Sequence, residues 1–122
     1  MKITTFNPII FTKEADKLIA LFEELGFEKA HVKEGYDGKD VKNTRMRHPG
    51  GFHVDITSPE NFQEDKTVIR MNVDNFDEAY ELLKSKGFKN FLGHDVETDS
   101  SKLAILKSPS GFSINLSQHI KN

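Results

Sequence analysis

The pattern of apolar and polar residues occurs twice along this chain. RHPGGFHVDI (47–56) occurs again as KSPSGFSINL (107–116). In each copy a Pro, one spacer residue and Gly-Phe precede an alternation of apolar and polar residues, which is typical of a tight turn followed by a half-buried strand. The upstream segments correspond as well, because ADKLIALFEELGF (15–27) is echoed by DEAYELLKSKGF (77–88). The repeat is therefore a whole supersecondary unit, and its two copies account for nearly the whole chain.

The first copy combines one helix pattern with several strand patterns. Its strands are predicted at residues 3–11, 27–34, 41–48 and 51–57. Thr12 is a candidate N-cap for the helix, and Gly26 stops it. The helix carries a single apolar stripe, made up of Ala15, Leu18, Ile19, Phe22 and Leu25. With a hairpin around residues 35–38, the element order is βαβββ.

The second copy predicts the same order. Its strands are expected at residues 67–73, 88–96, 102–107 and 112–117, with a turn at 99–101. Asn75 and Glu78 resemble a capping box for the helix, which Gly87 ends. The helix is expected to bury Phe76, Ala79, Tyr80 and Leu83. We interpret residues 1–58 as module one, 59–66 as a polar linker and 67–122 as module two.

The length of the chain favours one domain that contains both modules. A domain of 122 residues can bury one substantial core. Two separate domains of half that length would each be marginally stable. The modules are therefore expected to share a sheet or a core, and 1–122 is treated as a single domain.

Composition narrows the classes of partner. Seventeen basic and nineteen acidic residues are mixed along the chain and leave a formal charge of -2, so no basic stripe is available for nucleic acid. The chain has no cysteine, which excludes disulfides and thiolate metal sites and fits a reducing compartment. No segment has the apolar length of a signal peptide or a membrane span. We expect a cytoplasmic protein with no nucleic-acid or membrane partner.

The doubled βαβββ pattern, with P-x-G-F before the last strand of each copy, resembles the vicinal oxygen chelate superfamily. That group includes glyoxalase I, bleomycin-resistance proteins and extradiol dioxygenases. The resemblance covers essentially the whole chain and implies an α+β fold in which two tandem βαβββ modules form a cupped mixed β-sheet with the helices on its convex side. It also implies a homodimer and a ligand enclosed by the cup.

Strand alternation then assigns side chains to the cup. In the first copy His53, Asp55 and Thr57 are expected to line it. The corresponding residues of the second copy are Ser113, Asn115 and Ser117. The alternate positions, expected to face the helices, are Phe52, Val54, Ile56, Phe112, Ile114 and Leu116.

The resemblance also implies where a metal would bind. Metal-dependent members use ligands on the first and last strands of each module, and these positions carry over to Phe6, Asp55, Val68 and Asn115. Phe and Val cannot bind a metal and Asn is a weak neutral ligand, so only Asp55 keeps ligand chemistry. We therefore expect the usual metal site to be lost and no cofactor to be required.

The remaining candidate residues have both structural and functional interpretations. His53 and Asp55 share a strand face, which suits a displaced divalent metal or general-base work, or simply a polar face in contact with water. Arg70 and Asn72 are expected to point into the cup, where Arg70 either pairs with Asp55 or binds an anionic group. Phe6 is predicted to contact a ligand or to pack.

Other polar clusters are weaker candidates for a site. Arg45 and Arg47 crowd the third strand beside His48, either as a solvated edge or as a rim that attracts an acidic ligand. The remaining histidines and acids near turns are expected to face solvent: His31, His94, Asp95, Glu97, Asp99 and His119.

These patterns favour a protein that binds a small organic anion in the cup without a metal, in the manner of bleomycin-resistance proteins. Its ligand-binding residues would be Asp55, Arg70, Asn72, Asn115, His53 and Phe6. The alternative is a metal-dependent glyoxalase-like lyase or isomerase, or a dioxygenase, with ligands rearranged around His53 and Asp55. A purely structural or interaction module is the third hypothesis.

Overall fold

The structure is a computed structural model that describes residues 1–34, 42–59, 64–93, 95–97 and 101–119. Its helices are α1 (Ala15–Glu24) and α2 (Phe76–Ser85). Its strands are β1 (Ile3–Phe11), β2 (Glu28–Glu34), β3 (Lys42–Arg47), β4 (His53–Thr57), β5 (Lys66–Val73), β6 (Lys89–Asn90), β7 (Val96–Glu97), β8 (Ser101–Lys107) and β9 (Ser113–His119). None of the helices in these described ranges is long and apolar enough to cross a membrane.

The chain divides into two compact units. The first unit is Asn7–Thr67, and the second unit combines Met1–Phe6 with Val68–Asn122. Strand β1 therefore contributes residues to both units. The N-terminal residues are held in the second unit because the Lys2 N–H donates to Asp74 Oδ1 at 2.6 Å.

In the first unit the strand order is β2-β3-β4-β1. Strands β2, β3 and β4 are antiparallel, whereas β4 and β1 are parallel with Ile9 opposite Asp55. Helix α1 covers one face of this sheet, and its apolar stripe contributes to a core of Ile19, Met46, Val54 and Ile56, with Ile10, Ala15, Leu18, Phe22 and Phe27 packed around it. The predicted hairpin is confirmed by the β2–β3 pairing, although its turn at 35–38 lies outside the described residues.

In the second unit the strand order is β5-β9-β8-β6, and β7 also pairs with β8. Strands β5 and β9 are parallel and the other pairs are antiparallel. Helix α2 packs on one face, and the core consists of Met71, Val73, Phe76, Ala79, Ala104, Leu106, Ile114 and Leu116.

The single strand predicted at 88–96 is wrong. Two short strands, β6 and β7, take its place and pair with different parts of β8. The interruption follows from Asn90, whose side-chain oxygen accepts hydrogen bonds from the N–H groups of Leu92 and Gly93, each at 3.1 Å. These bonds divert the backbone from the sheet into a turn.

The repeated P-x-G-F segment forms the same turn twice. The His48 N–H donates to the Phe52 carbonyl at 2.9 Å, and the Ser108 N–H donates to the Phe112 carbonyl at 2.7 Å. Gly51 has φ 95° and Gly111 has φ 101°, a conformation that glycine adopts at low cost. The predicted turn is therefore confirmed, and it explains the position of glycine in both copies.

The two helices begin differently. Asn75 caps α2 by accepting a hydrogen bond from the Glu78 N–H at 3.1 Å, as the capping-box pattern predicts. The prediction that Thr12 caps α1 is wrong, because the N-cap is Glu14 and Thr12 Oγ1 accepts from the Glu14 N–H outside the helix. Leu25 was expected in the buried stripe but is 57% exposed, since α1 ends at Glu24.

Candidate functional site

Each sheet has one face covered by its helix and one face on the opposite side, which we call the helix-distal face. In the first unit Val54 and Ile56 belong to the core under α1. Alternation along β4 therefore places Asp55 and Thr57 on the helix-distal face. Residues opposite each other in register share a face, so Ile9 lies there beside Asp55. The face assignment predicted for this strand is confirmed.

Asp55 is held by an arginine within its own unit. The Asp55 side chain is 0% exposed, and Arg45 lies opposite it in the β3–β4 register. Arg45 Nε donates to Asp55 Oδ1 at 3.0 Å, and Nη2 donates to Oδ2 at 3.4 Å. This two-pronged contact matches the planar guanidinium to the carboxylate and neutralises a buried charge.

The position of Arg45 corrects the expectation of a solvated edge or a rim. The turn at the end of β3 pairs residues that lie equally far from Gly50, so Arg47 falls opposite His53 and Arg45 opposite Asp55. Counting outward from the P-x-G-F turn would have found this pair in the sequence. The predicted pair between Arg70 and Asp55 stays a prediction.

Asn7 is a site residue that the sequence reasoning missed. Its side chain is 3% exposed, and its Nδ2 donates to Asp55 Oδ2 at 3.2 Å and to the Pro8 carbonyl at 2.9 Å. Since a carboxylate only accepts hydrogen bonds, the amide nitrogen of Asn7 must face Asp55. The remaining atom, Oδ1, is buried and has no hydrogen-bond partner among the described residues.

Phe6 does not occupy the face predicted for it. It is 62% exposed and directly precedes Asn7, so alternation along β1 places it on the face opposite Asn7 and Asp55. The prediction for Phe6 is wrong by one residue in register, and such a shift moves every side chain of a strand to the other face. His53 lies half-buried at the start of β4, on the same face as Asp55.

The second unit brings together the polar residues predicted for it. Arg70 lies opposite Asn115 and Asn72 opposite Ser117 in the parallel β5–β9 register. Their neighbours Met71, Val73, Ile114 and Leu116 belong to the core under α2. Alternation therefore places all four polar residues on the helix-distal face, as expected from the sequence.

Two of these polar side chains form a hydrogen bond with each other, and a third has a buried oxygen without a hydrogen-bond partner among the described residues. The Ser117 hydroxyl donates a hydrogen bond to Asn72 Oδ1. The Asn115 side chain is 5% exposed, and its Oδ1 is buried without a hydrogen-bond partner in the described ranges. Arg70 is half-buried beside it. This face therefore combines a positive charge with a buried acceptor that requires a donor.

Of the four positions that the resemblance assigns to metal ligands, Phe6, Asp55, Val68 and Asn115, only Asp55 carries an acidic side chain. Among the residues that the structure describes, no group of three or more His, Asp or Glu side chains is arranged to hold a metal ion. The retained acidic position, Asp55, already binds the Arg45 guanidinium at 3.0 Å, and that positive charge repels a cation. The equivalent residue of the second unit, Asn115, is neutral and lies in register with a second arginine, Arg70. His94 and Asp99 lie outside the described residues.

Comparison with known proteins identifies the fold. No protein-family model and no curated protein sequence matches the chain. Among solved structures, methylmalonyl-CoA epimerase from Mycobacterium tuberculosis superposes with a TM-score of 0.75 at 15% identity, covering 98% of this chain and 90% of that chain. A glyoxalase/bleomycin resistance protein/dioxygenase superfamily member from Vibrio splendidus 12B01 has a TM-score of 0.59 at 13% identity, covering 96% and 99%.

A glyoxalase I mutant from Zea mays is similar over a smaller share of its own length. Its TM-score is 0.66 at 12% identity, and the match covers 98% of this chain but 44% of that one. The chain therefore has the α+β fold of the vicinal oxygen chelate group, which confirms the fold inferred from the repeated motif.

Proposed function

We propose that this protein binds a small organic anion on the helix-distal face of its second unit, with Arg70 as the residue that receives the anionic group. The observation that carries the proposal is the register pair of Arg70 with Asn115, in which a half-buried arginine lies opposite a buried neutral amide residue on the same face. A guanidinium in such a place is well suited to a carboxylate, because its planar fork matches the two carboxylate oxygens.

The contrast with the first unit supports this role. There the carboxylate of Asp55 occupies the position equivalent to Asn115 and accepts two hydrogen bonds from Arg45. Arg45 is therefore engaged by its own sheet. In the second unit the equivalent position contributes an amide with no charge, so the residue in register with Arg70 adds no negative charge that would repel an anionic ligand.

The metal-dependent alternative receives less support. Methylmalonyl-CoA epimerase and glyoxalase I share the fold with this chain, but at 15% and 12% identity the likeness concerns the fold and not the reaction. The positive charge of Arg45 lies against Asp55, which is the carboxylate that a metal site would need. We therefore propose a binding protein without a metal cofactor, and the homodimer stays a prediction that light scattering can test.

Calorimetric titration of the untreated, purified protein tests the proposal. The probes are butyrate, succinate, methylmalonate and benzoate, with butyramide and benzamide as uncharged controls. We expect at least one carboxylate to bind and both amides to fail. The Arg70→Gln variant should weaken that binding about tenfold or more, since a charge-assisted bond is lost.

Arg47→Gln is the matched control, because Arg47 is an exposed arginine at the end of β3. It should bind the carboxylate as the unchanged protein does. Three results would overturn the proposal: no binding of any carboxylate, equal binding by Arg70→Gln, or stoichiometric metal that remains after buffer exchange. Metal-restored turnover of the hemithioacetal of methylglyoxal and glutathione would favour the alternative instead.

A further inference from the structure

The second unit has a cleft of about 320 Å³ on the side of its sheet that α2 covers, between the end of that helix and strands β6 and β8. Small-ligand pockets begin at about this size. Helix α2 contributes Tyr80 and Lys84 to its wall, and β6 contributes Lys89 and Asn90. We infer that this cleft is a ligand site for a phosphate monoester with a small apolar organic part. The inference goes beyond the proposed function and does not depend on it.

The floor of the cleft is apolar. It includes Leu106, which is 1% exposed and belongs to the core under α2, and Phe88, which is half-buried and packs against that core. An organic group of a few carbons that lies on this floor removes apolar surface from water, which favours binding.

A phenol hydroxyl supplies a hydrogen-bond donor in the cleft. Asn90 Nδ2 donates to Tyr80 Oη at 3.3 Å, so the oxygen of Tyr80 accepts in this bond and its own O–H remains a donor. Within the described residues no acceptor takes that proton. The orientation of the Asn90 amide is fixed because its Oδ1 accepts from the N–H groups of Leu92 and Gly93, each at 3.1 Å.

Two lysines bring positive charge to the same cleft. Lys84 and Lys89 both line it, and neither forms an ion pair within the part of the chain that the structure describes. Lysine binds phosphate as a compact point charge, whereas the planar fork of arginine matches a carboxylate. A phosphate monoester has three acceptor oxygens and close to two negative charges above its second pKa of about 6. Two ammonium groups and one hydroxyl therefore suit a phosphate better than a carboxylate.

The acids nearest to the cleft are held by a different lysine. Asp95 Oδ1 lies 3.3 Å from Asn90 Nδ2, but Asp95 Oδ2 lies 3.8 Å from Lys102 Nζ. Asp77, one turn before Tyr80 on α2, lies 3.5 Å from the same Nζ. The charge of Lys102 thus offsets part of the repulsion that these carboxylates would exert on an anion.

The first unit has the opposite charges at the equivalent positions. The β2–β3 and β6–β8 registers and the ends of the two helices define the equivalence. The equivalent residues are Ile19 for Tyr80, Glu23 for Lys84, and Glu28 for Lys89. Two acids and an aliphatic residue repel an anion and offer no hydroxyl, so the anion site belongs to the second unit only.

Fluorescence of Tyr80 tests the site locally. The chain has two tyrosines and no tryptophan, so Tyr36→Phe leaves Tyr80 as the reporter. Butyl phosphate, methyl phosphate and butyrate are titrated into this protein at pH 8 and one ionic strength. We expect a saturable change with butyl phosphate, with affinity about tenfold higher than for butyrate and about fivefold higher than for methyl phosphate.

Three variants then assign the binding to side chains, with calorimetry as the measurement. Lys84→Gln should weaken the binding of butyl phosphate about tenfold, since a charge-assisted bond is lost, and Tyr80→Phe should weaken it to a similar extent. Lys86→Gln is the matched control, because Lys86 is an exposed lysine at the C-cap of α2 and does not line the cleft. It removes the same charge from the protein and should change the affinity less than twofold. Circular dichroism and the thermal midpoint establish that each variant is folded.

Each contrary outcome would overturn a defined part of the inference. The absence of a saturable fluorescence change with butyl phosphate would overturn the site. Equal losses in Lys84→Gln and Lys86→Gln would show that only the overall charge attracts the anion. Equal affinity for butyl phosphate and butyrate would overturn the phosphate class. The carboxylate titrations with Arg70→Gln are separate measurements, so either proposal can fail alone.

Discussion

The helix-distal faces of the two units differ in where each carries its arginine. In the first unit Arg45 lies on β3 opposite an acid on β4, and Ile9 lies on the parallel strand β1. In the second unit the arginine lies on the parallel strand, as Arg70, and Ile105 lies opposite Asn115 on the antiparallel one. Comparison of the two registers shows which positions of the two units are equivalent. They are Asp55 and Asn115, Arg45 and Ile105, Ile9 and Arg70, and Asn7 and Val68.

The same residue type, arginine, therefore lies opposite a carboxylate in one unit and opposite an amide in the other. Where the partner in register is a carboxylate, as at Asp55, the guanidinium stabilises the sheet by neutralising a buried charge. Where the residue in register is an amide, as at Asn115, it brings no negative charge, and our proposal assigns the arginine beside it to an external anion. The side chains differ at each of these equivalent positions, and the charge of the residue in register with the arginine changes from negative at Asp55 to neutral at Asn115.

The largest expected effect is on the stability of the first unit. Arg45→Met should lower the free energy of unfolding by about 3 kcal/mol, because it leaves the fully buried Asp55 carboxylate without this cation. Urea unfolding followed by circular dichroism measures the change. The matched control is Ile105→Met at the equivalent position of the second unit, a volume-conserving change that should cost below about 1.5 kcal/mol. Equal losses in the two variants would contradict a structural role for Arg45.

A second substitution makes the second unit resemble the first. Asn115→Asp places a carboxylate opposite Arg70, so the new negative charge competes for the guanidinium and repels ligand anions. We expect the affinity for carboxylates to fall about a hundredfold, equivalent to about 2.7 kcal/mol of binding free energy. Calorimetric titration with the best carboxylate probe measures this loss. Unchanged affinity in Asn115→Asp would show that Arg70 does not receive the anion.

The smallest effect concerns the starts of the two helices. Asn75→Ala should destabilise the protein by about 1 kcal/mol, because the capping bond to the Glu78 N–H at 3.1 Å is lost. Within the described residues the N-cap side chain of α1, Glu14, makes no such bond, so Glu14→Ala should change stability by about 0.5 kcal/mol or less. Thermal unfolding of the two variants compares them directly. Equal shifts of the midpoint would contradict the difference in capping.

The parts of the fold that depend on local signals were predictable. The bounds of β1, the capping box at Asn75 and the repeated turn at Gly51 and Gly111 all agree with the structure. Each depends on interactions among residues close together in the chain, such as a side chain that accepts from an N–H in the next turn of a helix. The doubled pattern then identified the fold, because the fold must contain the same βαβββ unit in both halves of the chain.

The parts of the site that depend on register were not all predictable. The strand patterns predict a solvated edge or an anion-attracting rim for Arg45 and the cup face for Phe6, and they give no signal for Asn7. The outcome at each residue depends on its partner on the neighbouring strand. A shift of one residue exchanges the faces of a strand, so the role of each side chain depends on pairing between strands.

The order of residues along the chain already contains the duplicated βαβββ pattern, most helix and repeated-strand positions that face the two apolar cores, and the shared face of Arg70, Asn72, Asn115 and Ser117. These features follow from periodicity and turn chemistry. Tertiary structure was needed for the contact of Asn7 with Asp55 and for the burial of Asn115 Oδ1 without a partner among the described residues. Both depend on distances between parallel strands that are far apart in the chain, and no local pattern specifies such distances.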